Sequence, residues 1–243
     1  MKQPLQATYR NRLLVGFTPA DFAWVQNHLT PVVLRVGDVP MPAATPLTHV
    51  YFVEQGIVSL VARSSDGEQA EIGLVGYEGV VGLPLILGSD RAPYDGQVQM
   101  AGLAWAMPAE ALHAMLQRSA AFSESLLRYA QASAVQVAST ALANARYTLA
   151  ARLARWLLMC HDRVEGDDLP TTHRFLSVML GVNRTGVSEA MAALERAGVI
   201  ATKRGTITIR DREKLIAQAG ACYGMPEVEY DRLLGPTTST PTV

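Results

Sequence analysis

The region from residue 30 to residue 107 consists of short apolar runs interrupted by glycine, and this pattern predicts strands. The clearest runs are Val50–Val53, Ile57–Ala62 and Ala70–Val75. Gly56 separates the first two runs, and Asp66-Gly67 is a hairpin signal before the third. No segment of this region has a long helical period. The pattern predicts a closed antiparallel barrel or jelly roll of short strands, which has no exposed sheet edges, and a short helix over residues 19–29 leads into it.

From about Ala109 the pattern becomes helical, because glycine and proline are absent up to Val164 and good helix formers are frequent. Within this region a set of residues follows the 4-3-4-3-4 spacing of a coiled-coil seam. The set is Leu126, Ala130, Ser133, Val137, Thr140 and Asn144. A neighbouring face of the helix is also apolar. The helix therefore has more apolar surface than packing against one barrel would bury. The pattern predicts a dimerisation helix, and the alternative is a helix buried wholly within one subunit.

Residues 172–209 contain two helical patterns around a glycine, followed by two strand patterns. Thr171 or Thr172 is an N-cap for the first helix, and Asn183 caps the second. Gly181 lies between them, where the chain turns sharply and only glycine enters positive φ without steric cost. The strand patterns are Val199–Thr202 and Thr206–Ile209, on either side of the basic turn Lys203-Arg204-Gly205. This order predicts a helix-turn-helix with a two-stranded wing; the alternative is two hairpins that serve only packing.

In a helix-turn-helix, the first residues of the second helix face the major groove of DNA. The polar residues at these positions are Asn183, Arg184, Thr185, Ser188 and Glu189. Arg184 is suited to bind guanine O6 and N7, and Glu189 can accept from a cytosine amino group or pair with an arginine on the same helix. A second set is placed for phosphates, which position a protein without reading sequence. It comprises Thr172, His173, Arg174, Lys203 and Arg204.

The charge distribution agrees with a DNA-binding module, although the whole chain has a net charge of −1. Residues 171–214 hold eight Lys and Arg residues against four Asp and Glu residues. Such an excess of positive charge attracts the phosphate groups of DNA. Apolar residues make up 49% of the chain and charged residues 18%, which is typical of a globular protein. No apolar run reaches the ~20 residues that cross a bilayer, and the N-terminus lacks the pattern of a signal peptide. We therefore expect a cytoplasmic protein without membrane contact.

Cysteines and histidines are too few and too scattered to predict a cofactor or a metal site. Cys160 and Cys222 cannot form a disulfide framework, and each is expected to be a buried, inert thiol. The histidines are His28, His49, His113, His161 and His173. They include no H-x-H pair and no close Cys/His group for zinc or haem. A cupin-like metalloenzyme would need a carboxylate–histidine set among the strands, where only His49 lies. We therefore expect no enzyme activity.

These motifs together resemble the Crp/Fnr family of bacterial transcription regulators, over roughly Leu13 to Tyr223. HVYFVEQGIVSLV is similar to the family's β-roll, RLARWLLMCHDRV to the helix after the dimerisation helix, and FLSVMLGVNRTGVSEAMAALERAGVI to its helix-turn-helix. The resemblance implies an α+β protein with an N-terminal β-roll or jelly-roll sensor domain of cyclic-nucleotide-binding type, a long dimerisation helix and a C-terminal winged helix-turn-helix. It also implies a homodimer that binds a pseudo-palindromic operator in double-stranded DNA and works with RNA polymerase.

The patterns and the resemblance divide the chain into four parts. They are the sensor domain (13–118), the dimerisation helix region (119–163), the winged helix-turn-helix domain (164–224) and a C-terminal tail (225–243). The final stretch GPTTSTPTV has the composition of a disordered segment. The polar sequence VEGDD, residues 164–168, is a candidate hinge, about which a signal in the barrel would rotate the DNA-binding modules.

Departures from the family pattern bear on the effector. Family members that bind cyclic AMP carry a Gly-Glu pair and then an Arg-Ser/Thr pair that grips the cyclic phosphate. Here the residues at this degenerate pocket are Gly82, Leu83, Arg91 and Asp95. Leu83 cannot accept from a ribose hydroxyl, Asp95 would repel a phosphate, and Arg91 is followed by Ala92-Pro93. We therefore expect that cyclic AMP is not the effector.

Comparison with the family pattern also bears on effectors other than cyclic AMP. The iron–sulfur branch of the family needs cysteines near the N-terminus, and none precedes Cys160. No cofactor is predicted. Two alternatives stay open: the apolar barrel binds an unidentified small-molecule effector, or the protein has no effector. The alternative function is a ligand-binding or protein-interaction module that has lost DNA binding.

Overall fold

The computed structural model describes residues 5–235, and its first half is a β-roll of antiparallel strands. The strands are β1 (Thr30–Leu34), β2 (His49–Arg63), β3 (Gln69–Val75), β4 (Val80–Val81) and β5 (Asp95–Pro108). Their order in the sheet is β1-β5-β2-β3, with β4 paired to β2. Short helices flank the roll. They are α1 (Arg12–Gly16), α2 (Pro19–Gln26), α3 (Leu83–Ile86) and α4 (Ala109–Arg118), and a 3-10 turn (Gln6–Thr8) precedes them.

Strands β2 and β5 have 15 and 14 residues, which corrects the expectation of short strands throughout. The two apolar runs around Gly56 belong to one strand, because the pairing with β5 shifts register there instead of ending. Gly56 has a φ of +88°, and a Cβ atom at this position would lie 2.5 Å from the Met100 carbonyl oxygen. Glycine therefore permits a bent but continuous strand where the sequence suggested a break. Asp66 and Gly67 form the predicted turn between β2 and β3.

The long helix α5 (Ala120–Arg146) closes the core of the β-roll. It begins at Ser119, whose hydroxyl accepts a hydrogen bond from the Phe122 N–H. Its buried side comprises Phe122, Leu126, Tyr129, Ala132, Ser139 and Ala143. These residues face their own subunit, and Phe122, Leu126, Tyr129 and Ala132 pack with the strands and with α1 to α4 in one hydrophobic core. Leu126 is fully buried there, so it is not available to a partner chain.

The exposed apolar stripe of α5 lies one residue further along the chain than the predicted seam. Its apolar positions are Leu127, Ala134, Ala138, Ala141 and Ala145, with the polar Gln131 in the same stripe and Leu142 beside it. In the predicted seam, Leu126 is buried, Ala130, Ser133, Val137 and Thr140 are half-buried, and only Asn144 is exposed. Both sets have the same 4-3-4-3-4 spacing. Spacing alone does not show which register faces the subunit's own β-roll. The structure removes Leu126 from the predicted seam, and the contact of the other five residues with a partner chain stays a prediction.

The second half of the described chain is a helical module with a small sheet. Its helices are α6 (Leu149–His161), α7 (His173–Met179), α8 (Arg184–Arg196) and α9 (Arg212–Ala219), followed by a 3-10 turn (Gly220–Cys222). Its strands are β6 (Asp168–Pro170), β7 (Ile200–Lys203) and β8 (Thr206–Ile209), in the order β6-β8-β7. Residues 164–168, the candidate hinge, lead directly into β6, which pairs with β8.

Helix α6 packs with the second half of the chain, whereas the sequence analysis grouped it with the dimerisation helix. Residues 153–160 of α6 are all buried, and α6 contacts α8 and α9 in a second hydrophobic core. The helical conformation is interrupted between α5 and α6 at Tyr147 and Thr148. The Thr148 side chain caps α6 by accepting a hydrogen bond from the Ala151 N–H. The change of direction between the two halves therefore lies well before residue 164.

The two halves share a continuous apolar and polar contact. Ile57, Val61, Leu74 and Met100 of the β-roll belong to the second core. Within this contact the Trp156 Nε1–H donates to the Glu71 carboxylate at 2.9 Å, and the Arg163 Nη2–H donates to the Glu78 carboxylate at 2.8 Å. The turn between α7 and α8 lies against β3, because a Cβ atom on Gly181 would be 3.7 Å from the Ala70 Cβ atom. The sensor domain is thus in contact with the helix-turn-helix itself.

The predicted tail from residue 225 begins with a helix, α10 (Met225–Leu234), and this corrects the sequence-based division. Its local signals are Pro226 in the first turn and Glu227, whose carboxylate accepts from the Gly224 N–H. α10 packs against α5. Of the stretch GPTTSTPTV only Gly235 is described, and the rest lies outside the described residues. Within residues 5–235 no helix has the length and apolar character needed to span a membrane.

Candidate nucleic-acid interface

The α7–turn–α8 segment is fixed by the local signals that the sequence contains. Thr172 caps α7 by accepting from the Phe175 N–H at 3.2 Å. Gly181 has a φ of +62° in the turn, which glycine adopts without strain. Asn183 caps α8 by accepting from the Gly186 N–H at 2.8 Å. The predicted helix-turn-helix is therefore confirmed, and its turn is set by these capping bonds and a glycine.

Helix α8 has one buried and one exposed face. Its buried residues are Val187, Ala190, Met191 and Leu194. The predicted base-reading residues lie on the other face and are exposed. They are Arg184, Thr185, Ser188 and Glu189, with Asn183 directly before the helix. The structure therefore brings the whole predicted set to one surface at the start of α8, which is the end that enters the major groove in a helix-turn-helix.

Two of these side chains are partly committed within the protein. The Asn183 side-chain oxygen serves as the N-cap acceptor, so only its amide N–H groups are free to meet a base edge. The Ser188 hydroxyl donates to the Arg184 carbonyl oxygen at 3.0 Å and lies 3.3 Å from His173 Nδ1. Glu189 forms no ion pair with any described residue. The alternative in which Glu189 pairs with an arginine on α8 therefore does not occur in the unbound protein.

The predicted phosphate-binding residues form two exposed groups on either side of α8. Thr172, His173 and Arg174 stand at the start of α7, and Lys203 and Arg204 form the tip of the wing between β7 and β8. Within the described part of the chain, Arg174, Lys203 and Arg204 make no salt bridge. Unpaired cations at a surface attract a polyanion without first losing an internal partner.

The space beside Gly82 and Leu83, two residues of the predicted degenerate pocket, is almost filled in this chain. The space among Val80, Val81, Leu83, Tyr94 and Tyr129 has a volume of about 10 Å³. That volume accommodates about one water molecule at most. Two of the other predicted pocket residues are engaged elsewhere. Arg91 pairs with Asp90 at 2.9 Å, and the Asp95 carboxylate accepts from the Ala43 N–H at 2.7 Å.

The structure also shows the surroundings of the two cysteines and of the potential metal ligands. Cys160 and Cys222 are both buried free thiols. Burial raises the pKa of each thiol above its ordinary value, so neither is an activated nucleophile. Within residues 5–235 no group of three or more His, Cys, Asp or Glu side chains is arranged to hold a metal ion.

Comparison with known families agrees with this geometry in both halves of the chain. The Crp-like helix-turn-helix domain matches residues 151–218, and the cyclic nucleotide-binding domain matches residues 31–119. The chain belongs to the Crp/Fnr family of transcription regulators. The helix-turn-helix match begins within α6, in agreement with the second core. Crp/Fnr regulators bind DNA through this domain and are dimeric, and they are generally not enzymes.

Individual Crp/Fnr relatives are distant in sequence but similar in fold. The CRP-like cAMP-activated global transcriptional regulator of Mycobacterium tuberculosis is 24% identical over 218 residues, which are 86% of this chain and 97% of the relative. A crp/fnr family regulator from Eubacterium rectale superimposes with a TM-score of 0.68 at 18% identity, over 85% of this chain and 97% of that one. FixK2 from Bradyrhizobium japonicum superimposes with a TM-score of 0.69 at 21% identity, over 79% of this chain and 98% of FixK2.

Sequence reasoning missed the contacts that join the two halves of this Crp/Fnr regulator. Glu71, Glu78, Trp156 and Arg163 are far apart in the chain, and no spacing or motif connects them. The one sequence signal is their polarity among apolar neighbours, since "WLLMCHDR" and "AEIGLV" each place a charged or polar group beside buried residues. Such groups keep a hydrogen-bond partner when they are buried.

Proposed function

We propose that this Crp/Fnr regulator reads a two-half-site operator through α8 and responds to a signal other than cyclic AMP. The observation that carries the proposal is the exposed polar start of α8, which is flanked by unpaired cations at α7 and the wing. In a two-fold symmetric dimer, two such helices enter major grooves about one helical turn of DNA apart, roughly 34 Å. Arg184 and Glu189 are the proposed base-reading residues, and Arg174, Lys203 and Arg204 the phosphate-binding ones.

One series of experiments tests this proposal together with the contact with RNA polymerase and with the alternative of a module that does not bind DNA. The first experiment maps the bound DNA across the genome and then measures affinity for a selected duplex over a salt series. A regulator that neutralises phosphates loses affinity steeply as salt rises. Flat salt dependence without sequence preference would favour the interaction module. Transcription from the same duplex with purified polymerase then shows whether binding activates or represses.

Replacing Arg184 by alanine should relax sequence preference, because a guanidinium that binds guanine is lost while the phosphate contacts remain. We expect a loss of about 1–3 kcal/mol on the selected duplex and little change on unrelated DNA. Lys203→Ala should weaken binding to all duplexes similarly and reduce the salt dependence. Fluorescence anisotropy with both DNAs measures these effects, and Arg118→Ala, an exposed residue on α4, is the control. An unchanged preferred sequence in Arg184→Ala would show that α8 is misplaced.

Cyclic AMP should not bind to the sensor domain, since the pocket lined by Leu83, Tyr94 and Tyr129 has a volume of only about 10 Å³. Equilibrium titration of the purified protein with cyclic AMP should give no saturable signal in the micromolar range. Leu83→Glu restores the residue type of the Gly-Glu pair but leaves the space closed, and we expect it to remain without binding. Micromolar or tighter binding to the unaltered protein would refute the proposal.

A further inference from the structure

A second cavity, adjacent to the filled pocket beside Leu83 and sharing Tyr129 and Ser133 with it, lies where the two halves of the molecule meet. Its volume is about 360 Å³, which is within the range of small-molecule sites in proteins. The turn between β3 and β4, the middle of α5, the end of α6 and α10 all contribute to its wall. α10 follows the region that the family's helix-turn-helix match covers, which ends at residue 218. Part of the cavity wall is therefore formed by a segment that lies outside both matched domains.

The wall of this cavity is aromatic. Tyr77, Tyr129, Tyr223 and Tyr230 all line it. Tyr223 donates its hydroxyl hydrogen to the Asp162 carboxylate at 2.8 Å, and Tyr230 donates to the Glu78 carbonyl oxygen at 2.6 Å. Since these hydroxyl groups are engaged, the rings are held in place. Arginine guanidinium groups already lie over three of these rings: Arg10 is 4.7 Å from the centre of Tyr77, Arg12 4.3 Å from that of Tyr230 and Arg212 6.0 Å from that of Tyr223. The tyrosines therefore supply an aromatic wall against which a flat molecule can pack.

The charges in the wall favour a cation over an anion. Arg163 is bound to Glu78, and Arg12 is bound to Asp231 and lies 4.3 Å from the centre of the Tyr230 ring. Neither guanidinium is therefore free for a phosphate or a carboxylate. Asp162 is bound to Arg212, which lies outside the cavity wall. The acidic groups in the wall thus outnumber the cationic ones.

Two carboxylates in the wall have unused capacity. The Glu78 Oε2 atom is buried and has no hydrogen-bond partner among the described residues, while Oε1 receives the bonds from Arg163. An unsatisfied buried acceptor is costly, which makes it a place where a ligand donor is favourable. Glu227 forms no ion pair with a described residue, and its carboxylate accepts from the Gly224 N–H at 3.2 Å. Burial raises the pKa of Glu227 above its ordinary value, although the charges of Arg163 and Arg155 act in the opposite direction.

We propose that this cavity is an effector site for a small organic amine, whose N–H groups would be bound by Glu78 and Glu227 between the tyrosine rings. This inference rests on the proposed function, since an effector matters only to a regulator that binds DNA. Glu78 belongs to the sensor domain, Tyr129 to the long helix α5 and Glu227 to α10, while Arg163 follows α6, which packs with the DNA-binding module. A ligand held by these residues contacts the sensor domain, the long helix and the DNA-binding module at once, so its binding energy can favour one arrangement of the two halves.

Binding is tested on the purified full chain without DNA, so the result does not depend on operator recognition. The probes are tyramine, agmatine and spermidine, and 4-hydroxyphenylacetate is the matched anion for tyramine. At least one amine should raise the melting temperature and saturate in calorimetry, whereas the carboxylate should do neither. Failure of all three amines, or equal binding of tyramine and 4-hydroxyphenylacetate, would overturn the site.

Variants then locate the binding. Glu227→Gln should weaken the amine at least about tenfold, because a charge-assisted hydrogen bond is replaced by a neutral one. Glu229→Gln, which changes a residue of the same helix that pairs with Arg232 instead, should bind as the unaltered protein does. Glu78→Gln is the second variant should Glu227→Gln not fold. Unchanged affinity in the folded variant would refute the assignment.

Coupling is measured last, as the affinity for the mapped duplex with and without the bound amine. A change of severalfold in either direction supports the effector role, and no change limits the cavity to binding without regulation, which contradicts the proposal. A protein that binds the amine through Glu227 but binds no DNA would instead refute the proposed function and leave the binding site standing.

Discussion

Replacing Ala138 by glutamate is expected to convert the regulator into a monomer and to remove specific DNA binding. Ala138 lies in the middle of the exposed stripe of α5, between Ala134 and Ala141. In a two-fold symmetric interface the same patch meets itself, so each substitution would bring two carboxylates close together. Small side chains at these positions also allow the helices to approach, and glutamate would hold them apart.

The effect on DNA should be large, because a monomer contacts one half-site where the dimer contacts two. We expect affinity for the selected duplex to fall on the order of a thousandfold, towards the level of non-specific binding. Sedimentation analysis gives the oligomeric state, and anisotropy gives the affinity. Ala121→Glu makes the same change at an exposed position of α5 outside the stripe and should remain a dimer. A dimeric Ala138→Glu protein would show that the partner chain uses another face.

Replacing Glu71 by glutamine is expected to stabilise the protein at pH 8. Glu71 is a residue of β3 that is buried against α6, where the Trp156 indole N–H donates to its Oε1 atom and Oε2 has no hydrogen-bond partner among the described residues. Burial is the main cause that raises the pKa of Glu71 to about 8, from an ordinary value of 4.5. The folded protein therefore keeps a proton on Glu71 at pH values where the unfolded chain has already released it.

The sign of the pH dependence follows from this difference in proton binding. Between about pH 4.5 and pH 8 the folded state holds one more proton than the unfolded state, so the free energy of unfolding falls as pH rises. The loss is complete above the folded-state pKa and reaches on the order of a few kcal/mol. Glutamine retains a carbonyl oxygen for Trp156 and carries no charge, so the variant should not lose this stability.

Denaturant unfolding at a series of pH values and one fixed protein concentration measures the effect. The stability of the unaltered protein and of Glu71→Gln should be similar near pH 5 and should separate towards pH 8. Glu68→Gln, an exposed residue of the same hairpin, is the control and should follow the unaltered protein throughout. Parallel curves for Glu71→Gln and the unaltered protein would mean that Glu71 is already charged in the folded state.

The features that sequence analysis predicted most closely are those fixed by neighbours in the chain. Thr172, Gly181 and Asn183 determine two helix starts and one turn through bonds that span three or four residues. The wing follows from alternation over four residues on each side of Lys203-Arg204-Gly205. Local chemistry determines such elements almost completely, and for that reason the surface proposed to face DNA could be outlined from the sequence.

The features that could not be predicted depend on distant packing. The register of the α5 stripe depends on which side the β-roll covers, and both registers have the same spacing. α6 follows α5 without a glycine or a proline, so the sequence carries no sign that it packs with the other half. The tyrosines of the second cavity, between Tyr77 and Tyr230, are brought together by four separate segments. Composition and spacing contain no information about such a meeting point.

The contact between Ala70 and Gly181 has a consequence for exchanging parts between regulators. Because the tip of the sensor hairpin lies against the helix-turn-helix turn, a graft that joins this sensor to a foreign C-terminal module would have to carry a matching surface at that turn. A transplant joined at Thr148 without it would lose the orientation of its reading helix, even though each half folded correctly. Compatibility in such chimeras therefore depends on the residues around this glycine as well as on the apolar and polar contacts that join the two halves.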